Sequence, residues 1–344
     1  MTAPARAFLI GAACLVGCAG PTYDFGDLPA SPVAIVHRTM SESDKAYDQV
    51  LENEKFLRVR RTGRRERRTR WDQNRLDGDR VMALFEGPGE RALAALGRMA
   101  LVDPRTGAIE PAEWAKRGSR PLGWSQDRTR LLYLSVRRGE PHIFERNLVS
   151  GENTKLTHDR RRYLDAAYCG PEGLVTAGVD TAGRIQLHYR EAQSGAPAAV
   201  TGNYMAYAPA CSPDGKTIFF ESVDTKGRAQ IRSLELADPE GSLRTLARGR
   251  HPTATPDGAW IIFSAKTRDA WKLWRMRPDG TGRHPFGRGA DWEHAPAVSP
   301  DGRYVVFIAT DDERQVRQKL WVRPLDGEDD RPLRVDGDAL HPAW

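Results

Sequence analysis

The stretch HPTATPDGAWIIFSA, residues 251–265, returns as HAPAVSPDGRYVVFIA at 294–309 and as YAPACSPDGKTIFFES at 207–222. In each copy a proline stands three places before the Ser/Thr-Pro-Asp-Gly. Two worn copies lie upstream, PLGWSQDRTRLLYLS at 121–135 and YCGPEGLVTAG at 168–178. With Ser125, Gly170, Ser212, Thr255 and Ser299 as equivalent points, the spacings are 45, 42, 43 and 44 residues. A period of this size marks a repeat architecture.

The four-residue phrase has the chemistry of a tight turn. Ser or Thr hydrogen-bonds the backbone ahead, Pro presets φ, Asp makes an Asx-type bond, and Gly supplies the positive φ that closes the turn. Short runs rich in β-branched and aromatic residues follow: LLYLSV from 131, TIFFES from 217, WIIFSA from 260 and YVVFIA from 304. Bounded by turn residues, they read as buried strands. Alternating segments come next, HIFERNL from 142, RIQLHYRE from 184, QIRSLEL from 230, KLWRMRP from 272 and KLWVRPL from 319. A Gly-bearing turn then leads to a polar last segment. With the short stretch before the turn, each unit offers four strands, which predicts a β-propeller blade.

The C-terminal ALHPAW, 339–344, brings Trp344 to the position held by Cys211, Ala254 and Val298 in the full copies. A lone first strand needs a partner, and the N-terminal part of the chain supplies one. GRMALVDPRTGAIEPA, 97–112, reads as the third and fourth strands of a composite blade, while VAIVHRT from 33 and VMALFE from 81 compete for its second strand. Such closure removes exposed sheet edges. The expected fold is all-β: a six-bladed propeller of four-stranded antiparallel blades, closed by 339–344 joining the N-terminal blade. Its blades would span 33–118 (composite, with a basic insert at 54–80), 119–163, 164–205, 206–249, 250–292 and 293–338.

The phrase [H/A]-P-x-x-[S/T]-P-D-G, followed by a β run ending in Phe and a small residue, resembles the TolB-like propeller repeats, also called WD40-like or PD40 repeats. The resemblance covers residues 120–344 and implies a six-bladed propeller. It implies no single activity, because related repeats occur in periplasmic uptake proteins, in peptidase propeller domains and in an oligogalacturonate lyase.

Residues 1–17 read as an export signal, with one arginine and an apolar stretch too short to cross a bilayer. Leu15-Val16-Gly17-Cys18 resembles a lipobox, in which Cys18 would carry the lipid, and 18–32 would be a tether. Ala19 after the cysteine resembles the rule for outer-membrane sorting, so the expected place is the outer membrane, facing the periplasm.

The net charge is +6, from 52 Lys and Arg against 46 Asp and Glu. Residues 54–80 hold eleven basic and five acidic residues, a surplus equal to that of the whole chain. Arg60, Arg61, Arg64, Arg65, Arg67, Arg68 and Arg70 present forks suited to phosphates and carboxylates. In an envelope these mean anionic lipid, lipid A or an acidic partner; the plain alternative is a solvated arm. No base-stacking module is present, and nucleic acid is not expected as a partner.

Of the four cysteines, Cys14 leaves with the signal and Cys18 is the lipid site. Cys169 and Cys211 sit just before their turns, at a generically apolar position, and read as packed thiols. An oxidising compartment also permits a bridge, but only near the axis, where neighbouring blades approach.

No G-x-S-x-G elbow, H-E-x-x-H pair, zinc-spaced cysteine set or phosphate loop occurs. His251, His294 and His341 recur at the start of the first strand, with His294 displaced by one residue, and are the candidates for contact at the channel mouth. Either they form a polar ring or they hold a divalent metal for a lyase or hydrolase acting on an acidic polysaccharide. The first reading is adopted: a non-catalytic platform for an envelope protein partner or ligand, with no catalytic residue, metal or cofactor.

Overall fold

The structure, a computed structural model, describes residues 24–42 and 97–344 except 138–139, 181–182, 192–194, 203, 269, 288–291, 311–317 and 328. The signal, the lipobox with Cys18, VMALFE at 81–86 and the arginines from Arg60 to Arg70 lie outside the described residues.

Among the described residues, twenty-four strands follow in chain order. The first three are β1 (Val33–Arg38), β2 (Arg98–Val102) and β3 (Ile109–Pro111). Strands β4 to β7 are Arg120–Trp124, Arg130–Arg137, Glu140–Asn147 and Asn153–Lys155; β8 to β11 are Arg162–Cys169, Gly173–Val179, Ile185–Arg190 and Ala198–Ala199. Strands β12 to β15 are Ala206–Cys211, Thr217–Val223, Ala229–Glu235 and Arg244–Arg248; β16 to β19 are Arg250–Ala254, Ile261–Lys266, Trp271–Met276 and His284–Pro285. The last are β20 (Trp292–Val298), β21 (Tyr304–Thr310), β22 (Lys319–Pro324), β23 (Arg331–Pro332) and β24 (Asp338–Ala343).

The fold is a propeller of antiparallel four-stranded blades. Strands β4–β7, β8–β11 and β12–β15 each form one sheet, and a fourth has the order β24-β1-β2-β3. The expectation of six separate four-stranded sheets is corrected by the remaining eight strands, which form a single sheet. Its antiparallel halves, β16–β19 and β20–β23, are joined by one parallel pair, Trp271 with Trp292. The two tryptophans open β18 and β20, which start side by side and then diverge.

The turns explain the repeat. In the three close copies the Ser or Thr hydroxyl donates to the Asp two places on at 2.5–2.6 Å and accepts the backbone N–H five places on at 2.9–3.0 Å. The Gly N–H closes back onto the Ser or Thr carbonyl. Gly215, Gly258 and Gly302 take φ of 71°, 70° and 70°, a region where a Cβ is penalised. The following strands are buried on both faces, so alternate residues enter different cores: Ile261 and Phe263 pack with Phe219 and Ile231 of the preceding sheet, and Ile262 packs with Val305 and Phe307.

Six such cores lie between neighbouring sheets or half-sheets, and the last returns to the first: Val306 and Ile308 pack against Val33 and Ile35. Here β1 pairs with β24, Ala34 opposite Ala343 and Arg38 opposite Asp338, so VAIVHRT takes the contested second-strand place. Arg38 and Asp338 form a fully buried ion pair at 3.2 Å. Trp344 is 6% exposed and its Nε1 donates to the Ser31 carbonyl at 3.0 Å. Part of the segment expected as a tether is itself packed: Phe25 and Leu28 join the same core, and Asp27 accepts the Tyr304 hydroxyl at 2.7 Å.

Trp344→Ala should destabilise the fold by about 3–5 kcal/mol, the usual cost of emptying a buried aromatic site, measured by urea unfolding. A loss below about 1 kcal/mol would mean that the last strand is dispensable.

Candidate functional site

The first strand of every unit, β4, β8, β12, β16, β20 and β24, faces one axial cavity of about 480 Å³. Its lining is set by a repeated irregularity. In β12, β16, β20 and β24 the ladder slips at a residue that precedes a proline, so that two residues oppose one. The slipped residues are Ala208, His251, Ala295 and His341, with φ of 46° to 51°. Proline offers no ladder donor, and the bulge redirects the preceding side chain. The [H/A]-P of the repeat is thus the position that decides what the channel wall carries.

The three sequence-predicted histidines are brought close enough to interact electrostatically, in two settings. His251 and His341 occupy the bulge position and line the cavity. His294 sits one residue earlier, where the bulge residue is Ala295, and is 6% exposed. Nδ1 of His251, both ring nitrogens of His294 and Nε2 of His341 are buried without hydrogen-bond partners among the described residues. Burial holds all three imidazoles neutral. It lowers His251 to about 3, helped by His294, Arg250 and Arg120, and lowers His294 to about 4, helped by Arg250. His341 is held well below its usual value by burial, Arg120 and its two fellow histidines. Among the described residues no three His, Cys, Asp or Glu side chains are grouped so as to hold a metal ion. The metal-dependent lyase alternative therefore gains no support from this geometry.

Three further residues belong to the channel. Arg120 donates to the Leu164 carbonyl and, at 3.1 Å, to the Tyr207 hydroxyl, tying three first strands together. Asp165 lines the wall near it; burial raises its pKa against the opposing pull of Arg120 and the Ala166 N–H. Both sit in worn copies with no repeat signature to flag them. Arg128 lines the turn side of the channel. Its signal was visible, since arginine replaces the turn glycine in SQDR.

Residues 121–344 match the profile of the PD40 family, described as the TolB beta propeller domain. The chain belongs to the TolB β-propeller family. An uncharacterized protein of Agrobacterium fabrum is 28% identical over 169 residues, 46% of this chain and 56% of that one, so the chain spans about half the length of that curated relative. Among solved structures, a protein assigned as TolB in Agrobacterium tumefaciens superposes with a TM-score of 0.57 and 22% identity over 65% of this chain and 83% of that chain. TolB from Acinetobacter baumannii gives 0.59 and 17% over 91% of this chain and 66% of that one. At these identities the likeness is one of fold.

Within this TolB-family propeller, Cys169 and Cys211 form a disulfide, their Cα atoms 5.2 Å apart across 42 residues. This corrects the reading of packed thiols. Both end first strands, β8 and β12, where neighbouring blades converge on the axis and come within bridging reach. Replacing both by serine should cost about 2–4 kcal/mol in urea unfolding under oxidising conditions; unchanged stability would make the bridge incidental.

The histidines give the propeller a pH dependence. In the unfolded chain they accept a proton near pH 6.5, whereas in the fold His294 stays neutral to about 4 and His251 to about 3. Over that interval the unfolded chain binds more protons, so stability is complete above about pH 6.5 and falls as the pH drops toward 4. Urea unfolding should show a loss of about 2 kcal/mol or more between pH 7 and pH 5, reduced in His251→Gln/His294→Gln. Equal pH dependence in the variant would remove these imidazoles from the account.

Proposed function

We propose that this chain is a lipid-anchored bacterial envelope protein whose six-bladed propeller is a non-catalytic platform for a protein partner or ligand at its axial channel. Six blades follow from dividing the eight-stranded sheet at its one-pair seam. The observation that carries the platform reading is the channel wall itself, lined by one strand from every unit, on which His251 and His341 present neutral imidazoles, each with a ring nitrogen that has no hydrogen-bond partner among the described residues. Unengaged donors and acceptors on a rigid, concave wall are what a binding site supplies. No nucleophile–base pair accompanies them in the sequence motifs.

Export is supported by the Cys169–Cys211 bridge, which suits an oxidising compartment, and by the lipobox ending at Cys18. With membership of the TolB family, these favour an outer-membrane anchor with the propeller in the periplasm. The arginines Arg60, Arg61, Arg64, Arg65, Arg67, Arg68 and Arg70 then offer forks suited to anionic lipid headgroups.

A photo-crosslinking residue in place of Thr253, on the channel wall, should capture one dominant envelope protein in intact cells. The same residue at the outer-edge Arg331 position should not. Cys18→Ala should move the protein from the membrane to the soluble periplasmic fraction. Equal capture from both positions would remove the channel from the proposal, and membrane retention of the Cys18 variant would remove the anchor.

A further inference from the structure

The turn Ser125-Gln126-Asp127-Arg128 departs from its three close counterparts at its second and fourth positions, and the fourth is the telling one. Arg128 adopts a φ of 62° where the others place glycine, although a Cβ is sterically disfavoured there. Its side chain does not run out into solvent. The guanidinium lies over the Trp124 ring, 4.8 Å from its centroid, on the channel wall. Burial lowers its pKa to about 10, with no carboxylate offsetting that burial. The neighbouring Asp127 is engaged by the Ser125 hydroxyl and the Thr129 N–H. Nε and Nη2 of Arg128 are both buried without hydrogen-bond partners among the described residues. These two nitrogens form one edge of the guanidinium, the edge that receives the two oxygens of a carboxylate.

A strained backbone, a desolvated cation and an unpaired fork have no return among the described residues, and such features gather where a ligand is met. We propose that Arg128 is the specificity-determining anchor of the channel, receiving the carboxylate of an acidic peptide segment of the protein partner at the turn-side mouth. This rests on the platform reading and names the chemistry recognised.

The mouth favours a peptide over an acidic sugar. The hydroxyls of Ser125, Ser212, Thr255 and Ser299 are all engaged within their own turns, and Pro213, Pro256 and Pro300 have no N–H to offer. A sugar needs a partner for each hydroxyl, whereas a carboxylate between apolar side chains needs one fork in an apolar rim. The nearby turn carboxylates do not forbid it: Asp214 and Asp301 pair with Lys216 and Arg303, and Asp257 is hydrogen-bonded by Thr255 and the Ala259 N–H.

The test uses the whole chain and its Arg128→Gly and Arg128→Gln variants. A library of capped nonapeptides, each with a central aspartate between apolar residues, is compared with the matching asparagine peptides by calorimetry. The wild type should prefer the aspartate members at least tenfold, and both variants should lose that preference. Arg128→Gly should nevertheless melt at or above the wild-type temperature, because glycine relieves the strain; a merely structural arginine would make it melt lower. Persistent aspartate preference in both variants, or a melting temperature lowered in Arg128→Gly, overturns the proposal. Equal binding of both peptide kinds by the wild type sinks the anchor and leaves the platform standing. Binding of a galacturonate dimer but of no peptide overturns the peptide assignment, and binding of none of these probes fails the platform reading as well.

Discussion

The antiparallel pairing of β24 with β1 is the constraint on which the remaining architecture rests. Residues some three hundred positions apart are hydrogen-bonded neighbours, Arg38 opposite Asp338, and their side chains form a buried ion pair. Without that pairing, the first sheet loses its innermost strand and the channel loses one wall. Val33 and Ile35 remain paired with β2, but Trp344 no longer covers their core. The neighbouring sheet is tied in as well, since the Trp124 Nε1 donates to the Ala343 carbonyl at 3.2 Å. A sheet of four strands buries little by itself, so the interfaces between sheets carry the stability, and an open ring would leave two of them as edges.

Given closure, the repeat determines the channel through two local devices of opposite character. The turn is chemically self-sufficient: its hydroxyl donates to its own carboxylate and its glycine N–H to the Ser or Thr carbonyl, leaving the rim apolar. The bulge before the proline redirects a side chain without supplying a partner for it. Alanine there makes an inert wall, as at Ala208 and Ala295, and histidine a reactive one, as at His251 and His341. The fold therefore varies its binding surface by single substitutions at a position that the β ladder has already given up.

Much of this was legible in the sequence because the turn chemistry is local. The period, the strands flanking each turn and the strand at ALHPAW all follow from the spacing of the copies, and that strand pairs with VAIVHR as expected. The division into sheets was less legible, since one parallel pair between Trp271 and Trp292 depends on how two strand starts happen to approach. The disulfide was left open because its formation turns on axial proximity, which spacing along the chain does not encode. Asp165 and Arg120 escaped notice for another reason. They stand in worn copies, where no motif marks the channel-facing residue, and their relevance appears only when Leu164, Tyr207 and the axis come together.

The buried arginines separate structural charge from available charge. Burial alone would lower the Arg323 pKa, yet Asp330 and Glu293 together raise it, with Glu293 at 2.9 Å. Glu293 also accepts the Leu273 N–H at 2.9 Å, stitching the two halves of the eight-stranded sheet. Arg38 has Asp338 of the closing strand at 3.2 Å, although burial outweighs that pairing and lowers its pKa. In both cases a neighbouring element supplies the carboxylate, as a buried cation requires if it is to hold the fold together. Arg128 has an aromatic ring beneath it and no carboxylate beside it. It also stands in a turn that glycine would close with less strain. Carboxylates of the fold accompany the first two arginines and not the third, which leaves the channel mouth with a cation that no described carboxylate matches.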